Sequence, residues 1–343
     1  SNTDSIASGA QDAFGQRVAV SAGTIVSTSQ GESSSAAGID GDQFDNSASA
    51  AGAAYVFQTL GPSRLGIFID GSWFIDRDGD SAFDPATEVS GWGSPGDIPV
   101  QGDWNGDGFR DLGVFSGGTW FIDSNGDGVF DAATDIRGWG AAGWIPIPGD
   151  WNGDGVTDLG VADPSTSTWF IDLNGDFAFD AATEIRGWGS PGDIPVVGDW
   201  NGDGKDSVGV FSGGTWFIDF AGNGAFNPAT DVRGWGAAGW TPVVGDWNGD
   251  GATDLGAVTP ELTWFRDMDG DFGFDPATDI AGWGSPGDTP VPADWDGDGD
   301  DDLGAFSGGT WFIDANGNQG FDPATDIKGW GAAGWTPAPG NWR

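Results

Sequence analysis

An acidic segment that recurs every 47 to 49 residues constrains this chain more than any other feature. Its clearest copy reads Gly102-Asp103-Trp104-Asn105-Gly106-Asp107-Gly108 and is followed by Asp111-Leu112-Gly113. A degenerate copy, in which the acids are missing, contains Asn341-Trp342. A period of this length indicates one repeat architecture, so the 343 residues need not form two domains. The other full copies begin at Asp150, Asp199, Asp246 and Asp294.

Short apolar runs within each unit predict four β-strands. In one unit they lie at residues 98–104, 112–115, 119–123 and 135–140, and Gly, Pro, Asn and Asp fill the gaps. No segment has a sustained 3.6-residue apolar period, so we expect essentially no helix. Four short antiparallel strands in about 47 residues match one β-propeller blade. We therefore predict an all-β fold, a β-propeller of four-stranded blades, in preference to a stacked solenoid.

The number of blades depends on how the two ends of the repeat array are used. Residues 56–66 align without a gap on residues 103–113, so residues 53–57 are predicted to be the first strand of six tandem blades spanning 53–331. We favour seven blades in a single domain, 1–343, with residues 1–52 and 335–343 forming the closing blade, because closure removes exposed sheet edges. The alternative is six blades, with residues 336–342 completing the sheet of 65–92. The N-terminal segment is then a β extension, which can pair with a neighbouring subunit.

A second period lies over the first. Successive units alternate between a Ser-Pro-Gly-Asp turn, first at residues 94–97, and an Ala-Ala-Gly-Trp turn, first at residues 141–144. The array therefore resembles three copies of a pair of blades. Most Trp residues recur in every unit and are predicted to pack between blades. The extra Trp144, Trp240 and Trp335 occur only in alternate units and are candidates for a surface role.

The acids of the repeated segment have the spacing of metal ligands. Offsets of 0, 2, 4 and 8 in a Gly-rich loop direct several oxygens to one point, and Gly permits the tight backbone turn. Hard oxygen ligands suit Ca²⁺, which binds six to eight of them. In the third full copy Ser207 replaces the last acid, which predicts a weaker site. The candidate ligands of this first loop series are Asp103, Asn105, Asp107, Asp111, Asp150, Asn152, Asp154, Asp158, Asp199, Asn201, Asp203, Asp246, Asn248, Asp250, Asp254, Asp294, Asp296, Asp298 and Asp302.

A second loop series with the same spacing follows the third predicted strand. A further acid lies four positions beyond it, at Glu88, Asp135, Glu184, Asp279 and Asp326. In the fourth unit Ala221 and two Asn residues replace acids, which predicts loss of the metal. The candidate ligands are Asp76, Asp78, Asp80, Asp84, Asp123, Asn125, Asp127, Asp131, Asp172, Asn174, Asp176, Asp180, Asp267, Asp269, Asp271, Asp275, Asp314, Asn316, Asn318 and Asp322.

The two series together predict about ten Ca²⁺ ions. One such loop can be a metal-free turn, since Asp, Asn and Gly are good turn formers, but about ten copies in register favour metal. Ten ions cancel about twenty charges, roughly half of the net charge of −42. Folding is therefore predicted to depend on metal.

These motifs resemble the FG-GAP/VCBS repeats of integrin α-subunit-type calcium-binding β-propellers. The segment Asp-x-Asn-Gly-Asp-Gly-x-x-Asp-Leu-Gly-Val carries the resemblance, and residues 14–20 and 53–57 resemble a metal-free blade of bacterial extracellular members. The resemblance implies a seven-bladed propeller with Ca²⁺ in the loop after the first strand, at Asp103, Asn105, Asp107, Asp111 and their equivalents. The second loop series departs from the family pattern and depends on spacing alone.

Composition excludes several classes of function. The sequence has no Cys and no His, which excludes thiol nucleophiles, Cys/His zinc sites and His-based triads. Its negative charge argues against nucleic acid and anionic membranes as partners. There is no apolar run of about 18 residues, so we expect no membrane insertion. We expect a secreted, extracellular or cell-surface protein whose signal peptide has been removed.

The predicted function is that of a non-enzymatic, Ca²⁺-stabilised extracellular binding or assembly module. Examples are a bacterial surface adhesin and a subunit of a surface layer or filament, with partners that are copies of itself, another extracellular protein or a glycan. The alternative is a multivalent lectin that uses Trp144, Trp240 and Trp335. A carboxylate-dependent glycosidase or lyase is a weaker alternative, because no acid pair breaks the repeat pattern.

Overall fold

The computed structural model describes residues 61–86, 88–180 and 185–342, and the backbone of three strands before them. The chain divides into two compact units, Ser1–Gly61 and Pro62–Arg343. The first unit contains an antiparallel sheet of three strands in the order β1-β2-β3. Its strands are β1 (Ala13–Ser21), β2 (Thr24–Gln30) and β3 (Ala53–Gln58). No described helix is long and apolar enough to cross a membrane.

The second unit is a six-bladed β-propeller, and each blade is a four-stranded antiparallel sheet. Blades 2 to 6 use four consecutive strands, whereas blade 1 takes its first strand from residues 336–337. Blade 1 contains β27 (Thr336–Pro337), β4 (Gly66–Ile69), β5 (Ser72–Ile75) and β6 (Val89–Gly91). Blade 2 contains β7 (Ile98–Gly102), β8 (Asp111–Ser116), β9 (Thr119–Ile122) and β10 (Ile136–Arg137). Blade 3 contains β11 (Ile145–Pro146), β12 (Gly160–Asp163), β13 (Thr168–Ile171) and β14 (Ile185–Gly187).

The remaining blades repeat this arrangement. Blade 4 contains β15 (Ile194–Gly198), β16 (Ser207–Ser212), β17 (Thr215–Ile218) and β18 (Val232–Arg233). Blade 5 contains β19 (Thr241–Gly245), β20 (Asp254–Val258), β21 (Thr263–Arg266) and β22 (Ile280–Gly282). Blade 6 contains β23 (Thr289–Pro290), β24 (Gly304–Ser307), β25 (Thr310–Ile313) and β26 (Ile327–Gly329). The prediction of an all-β propeller with four-stranded blades is confirmed.

The hydrophobic core lies between neighbouring blades. Third strands alternate, as in β9, where Trp120 and Ile122 are buried and Phe121 is half-buried. Side chains of a strand point alternately to its two faces, so each blade packs against both neighbours. Trp120 shares one cluster with Leu159 and Val161 of blade 3. The recurring Trp residues thus pack between blades, as predicted, and each large aromatic side chain removes about 150–250 Å² from water.

The short strand β27 determines the number of blades. Thr336 pairs with Phe68 and Pro337 with Ile67, so β27 occupies the first-strand position of blade 1. Trp342 then packs on Trp73 with ring centroids 5.7 Å apart. The favoured seven-blade arrangement is therefore wrong. The degenerate repeat copy supplies Trp342 to the core of blade 1, and the ring closes with six blades. The residues predicted as the first strand, 53–57, pair through β3 with β2 instead.

Hydrogen bonds link the first loop of each blade, which is acidic in blades 2 to 6, to the first loop of the next blade. The Thr157 N–H donates to the Asp103 carbonyl (2.7 Å), and the Asp103 N–H donates to the Thr157 hydroxyl (2.9 Å). Gly102 leaves room for this contact, since a Cβ there lies 2.7 Å from Thr157 Cγ2. The equivalent donors are Ser63, Arg110, Asp206, Thr253 and Asp301, which bond to Asp294, Asn341, Asp150, Asp199 and Asp246.

Candidate metal centres

The two acidic loops of a blade lie at the same end of the sheet. The first loop joins the first and second strands and the second joins the third and fourth, so antiparallel pairing brings them together. In blade 2 the second loop approaches the first through Gly126, which has a φ of +67°. A Cβ on Gly126 lies 2.4 Å from Asn105 Nδ2 and 2.8 Å from Asp111 Oδ1. The two loop series therefore form one acidic region in blade 2.

The first acid of the first loop organises the turn around its carboxylate. Asp103 accepts hydrogen bonds from the N–H groups of Gly106 (2.7 Å), Asp107 (3.0 Å) and Gly108 (2.7 Å). Asp150 and Asp246 accept the equivalent three bonds in blades 3 and 5. A carboxylate offers about four lone-pair sites, so acceptor capacity remains for a cation.

The last acid of the first loop is buried below the turn. Asp158 is fully buried, one of its oxygens accepts the Trp151 N–H (3.1 Å), and its Oδ1 has no hydrogen-bond partner among the described residues. Burial, followed by the charge of Asp172 in the second loop, raises its pKa to about 8. Burial likewise raises the pKa to about 8 in the equivalents Asp111, Asp254 and Asp302.

The second loop has a buried first acid and exposed middle positions. Asp76 is buried and accepts the N–H groups of Gly79 and Ser81, while Asp78 and Asp80 are exposed. Burial raises the pKa of Asp76. The other first acids of this series are also buried: Asp123, Asp172, Asp219, Asp267 and Asp314.

The structure does not bring Asp84 to the other predicted ligands of this loop. Its carboxylate accepts the Ala86 N–H (2.9 Å) and caps its own turn. Glu88, four positions later, is buried and accepts the Asp84 N–H. Asp131, Asp275 and Asp322 cap their turns in the same way, whereas Asp135, Asp279 and Asp326 are buried and point back into the loop. Glu184 lies outside the described residues.

Three groups of acids in the described part of the chain are close enough to share one ion. In each group, one oxygen per residue lies within 4.8 Å of the others. Two groups belong to the second loop series, which the family pattern does not cover. Oxygen-only donors, together with the partnerless Asp158 Oδ1, fit a hard divalent cation such as Ca²⁺. The groups are Asp76, Asp78, Asp80 and Glu88; Asp267, Asp269 and Asp271; and Asp294, Asp296 and Asp302.

Two blades depart from the common pattern. In blade 4 the half-buried Ser207 replaces the buried acid of the first loop. The buried acid of the second loop is retained as Asp231, which accepts the Asn227 N–H (2.6 Å).

In blade 5 the buried Arg266 stands where other third strands have Ile, and its guanidinium donates to Gln319 (3.0 Å). Burial lowers its pKa to about 10, although Asp302 and Asp314 oppose this effect. Sequence reasoning missed Arg266, although the change from Trp-Phe-Ile to Trp-Phe-Arg is visible.

The alternating Trp residues are packed against neighbouring side chains. Trp144, Trp240 and Trp335 are half-buried. Trp144 stacks on Phe170 with centroids 4.5 Å apart and an interplanar angle of 11°. Trp240 stacks on Phe265 (4.4 Å) and Trp335 on Phe74 (4.9 Å). One face of each indole is therefore stacked on a third-strand Phe, while the side chain as a whole stays half-buried.

No protein-family model and no curated protein matches the chain. Among solved structures, it is similar to an Agrocybe aegerita lectin that recognises non-reducing terminal N-acetylglucosamine. Identity is 19% over 78% of this chain and 76% of that chain, with a TM-score of 0.49. It is also similar to the V. cholerae biofilm matrix protein Bap1, at 19% identity over 73% of this chain and 41% of that chain, with a TM-score of 0.31. At these values the likenesses carry no functional argument.

Proposed function

We propose that this chain is a non-enzymatic, Ca²⁺-stabilised extracellular module that binds a partner or assembles with further copies. A bacterial surface adhesin and a subunit of a surface layer or filament are examples of such a protein. The observation that carries the proposal is the buried carboxylate below the first acidic loop, best seen in Asp158. It lies near a second buried acid, Asp172, and one of its oxygens has no hydrogen-bond partner among the residues that the structure describes. A cation allows both to ionise without mutual repulsion.

Calcium is the ion that the ligand chemistry favours. The sequence has no His or Cys, so soft and borderline metals lack their usual ligands. Mg²⁺ demands octahedral geometry and keeps several waters, whereas Ca²⁺ accepts irregular loops with six to eight oxygens. Several middle ligands, such as Asp78 and Asp80, are exposed. Exposed, adaptable loops fit the affinity of extracellular Ca²⁺ modules, about 10⁻⁴–10⁻³ M.

The non-enzymatic part of the proposal rests on the role of the acids in the structure. They recur in register and are engaged in the hydrogen bonds of their own loops, which is expected of structural groups rather than of a catalytic pair. We therefore assign no catalytic residue. Sugar binding is the second candidate function, and the aromatic rings at alternate blade contacts favour it.

Calorimetry with and without Ca²⁺ tests the metal proposal. The metal-free chain should melt well below the Ca²⁺-loaded chain, and Mg²⁺ at equal concentration should recover only part of the difference. Asp250→Asn in blade 5 should reduce the Ca²⁺-induced shift more than Asp203→Asn at the matched position of blade 4, where Ser207 already weakens the loop. Equal melting temperatures with and without Ca²⁺ would refute the proposal.

Electron microscopy and sedimentation test the assembly part. Ca²⁺ should promote defined oligomers or filaments, because neutralised loops no longer repel each other. Discrete monomers both with and without Ca²⁺ would count against assembly and leave binding of another partner.

A further inference from the structure

Every second contact between neighbouring blades leaves an aromatic ring without its indole cover. At three contacts, the covered contacts, an indole stacks on the third-strand Phe, as Trp144 does on Phe170. At the other three contacts, the open contacts, Asp occupies the sequence position of that Trp. No indole among the described residues stacks on the corresponding third-strand rings. These rings are Phe121, Phe217 and Phe312, and the Asp residues are Asp97, Asp193 and Asp288.

The contact between blades 1 and 2 contains a cleft at this place. Its volume is about 330 Å³, near the lower end of the range typical of small-molecule sites, about 300–1,000 Å³. This volume matches a single sugar ring or a group of similar size. Its lining includes Trp92, Ser94, Asp97, Ser116, Phe121 and Phe130.

One wall of the cleft is fixed by the indole that directly follows the fourth strand. Trp92 Nε1 donates to the Phe121 carbonyl across the blade contact (3.2 Å). Trp188 and Trp283 donate equivalent bonds of 2.8 and 2.9 Å at the other two open contacts. At the covered contacts the indole nitrogens of Trp139, Trp235 and Trp330 are buried and have no hydrogen-bond partner within the described part of the chain. The open contacts are therefore a distinct, repeated arrangement.

The rim of the cleft is polar and held in place. Asp97 accepts the Ser94 N–H through Oδ2 (2.7 Å), so its half-buried carboxylate is fixed at the edge. Asp193 and Asp288 accept the equivalent bonds at 2.7 and 2.8 Å. The exposed edge of Phe130, at 47% relative accessibility, completes the opening. Each open contact thus combines an uncovered aromatic face with a fixed hydrogen-bond acceptor.

We propose that the three open contacts bind single neutral pyranose rings of a glycan. The covered contacts show that a flat group fits parallel to the third-strand Phe at about 4.5 Å. A pyranose presents such an apolar face, and its hydroxyls donate to Asp97. A Phe side chain of a partner protein matches the ring but leaves the Asp97 carboxylate desolvated without a donor, which is costly, and a Trp or Tyr side chain offers one donor where a pyranose offers several hydroxyls. The net charge of −42 disfavours acidic sugars.

This inference deepens the proposed binding function and rests on it. Phe130 belongs to the second acidic loop of blade 2, between Asp127 and Asp131, so binding is measured with saturating Ca²⁺. The Ca²⁺-loaded chain is applied to an array of neutral hexoses, N-acetylated hexosamines, sialylated glycans and Trp-containing peptides. We expect binding to neutral glycans, and titration calorimetry with the best monosaccharide glycoside should give about three sites per chain.

The chain itself supplies the blocking variant. Asp97→Trp, Asp193→Trp and Asp288→Trp together install the indole that covers the alternate contacts, and should reduce binding at least tenfold. Asp97→Trp alone should remove one site of three. Trp144→Phe, at a covered contact, is the matched control and should keep all three sites. If the triple variant does not fold, Phe121→Leu, Phe217→Leu and Phe312→Leu replace it, with the same expected loss.

Three results would overturn the inference: no neutral glycan bound by the Ca²⁺-loaded chain, undiminished binding by the folded triple variant, or binding of Trp-containing peptides alone. The last result identifies a protein partner at the same clefts. A melting temperature that still rises with Ca²⁺ in any of these cases leaves the metal proposal standing, so the two failures are distinguishable.

Discussion

Asp158→Asn should reverse the sign of its effect on stability when Ca²⁺ is added. In the folded, metal-free chain burial raises the pKa of Asp158 to about 8, from an ordinary value of 3.8. The folded state therefore keeps a proton that the unfolded state releases, and stability falls as pH rises from about 4 to 8. A pH of 7 lies about 3 units above the ordinary pKa of the unfolded state. At 1.36 kcal/mol per unit, the metal-free chain therefore loses at most about 4 kcal/mol of unfolding free energy between pH 4 and pH 7.

The Asn variant has no such titration and keeps the shape of the side chain. Its carbonyl can accept the Trp151 N–H, as one Asp158 oxygen does (3.1 Å). Metal-free Asp158→Asn should therefore be more stable than the parent at pH 7, by up to about 4 kcal/mol, and equal to it near pH 4. With saturating Ca²⁺ the variant should be the less stable one, since a neutral amide is a weaker ligand than a carboxylate.

Urea unfolding followed by Trp fluorescence measures both effects, at pH 4 and 7, with and without Ca²⁺. Asp163→Asn, at the end of β12 in the same blade, is the matched control. Hydrogen bonds from Ser165 lower the pKa of Asp163, so its replacement should not stabilise the metal-free chain at pH 7. A metal-free Asp158→Asn chain that is less stable than the parent at pH 7 would refute the reasoning.

Three further substitutions test the contacts around the loops. Gly126→Ala should weaken Ca²⁺ binding in calorimetry because its Cβ collides with the first loop. Gly117→Ala is the control, since Gly117 has a similar positive φ but lies in open space. This variant should lower the free energy of unfolding by about 1 kcal/mol without changing the Ca²⁺ affinity. Thr157→Val should destabilise the chain by about 1–3 kcal/mol in urea, since it leaves the Asp103 N–H unpaired, and Thr157→Ser should not. Trp144→Ala should cost about 2 kcal/mol by the same assay, as expected for a half-buried stacked ring; no change would indicate a free surface residue.

The blades could be predicted from the sequence because their determinants are local. A Trp at a fixed place in every third strand, followed by a turn that begins with Asp, specifies both the strand and its buried face. The number of blades depends instead on a choice between distant segments. Residues 53–57 and β27 both match the first strand of blade 1, and the packing of Trp342 on Trp73 decides between them.

The acidic loops were predictable as a class but not ligand by ligand. Equal spacing made Asp84 equivalent to Asp111, yet the following Pro85-Ala86 turn uses the Asp84 carboxylate as its cap. Glu88 is the buried acid of that loop. Spacing alone cannot show which carboxylate faces inward, because that depends on local turn hydrogen bonds and on the neighbouring loop.

The pairing of β27 with β4 has a consequence for how the second unit opens. In a linear array of repeats, terminal units have one neighbour and fray first. Here the seam at blade 1 gives all six blades two neighbours, so no blade is a natural starting point for melting. Amide protons of the inner strands should therefore exchange through one shared opening, with similar protection in every blade. A graded series of exchange rates along the chain would instead mark the seam as the place where the ring comes apart.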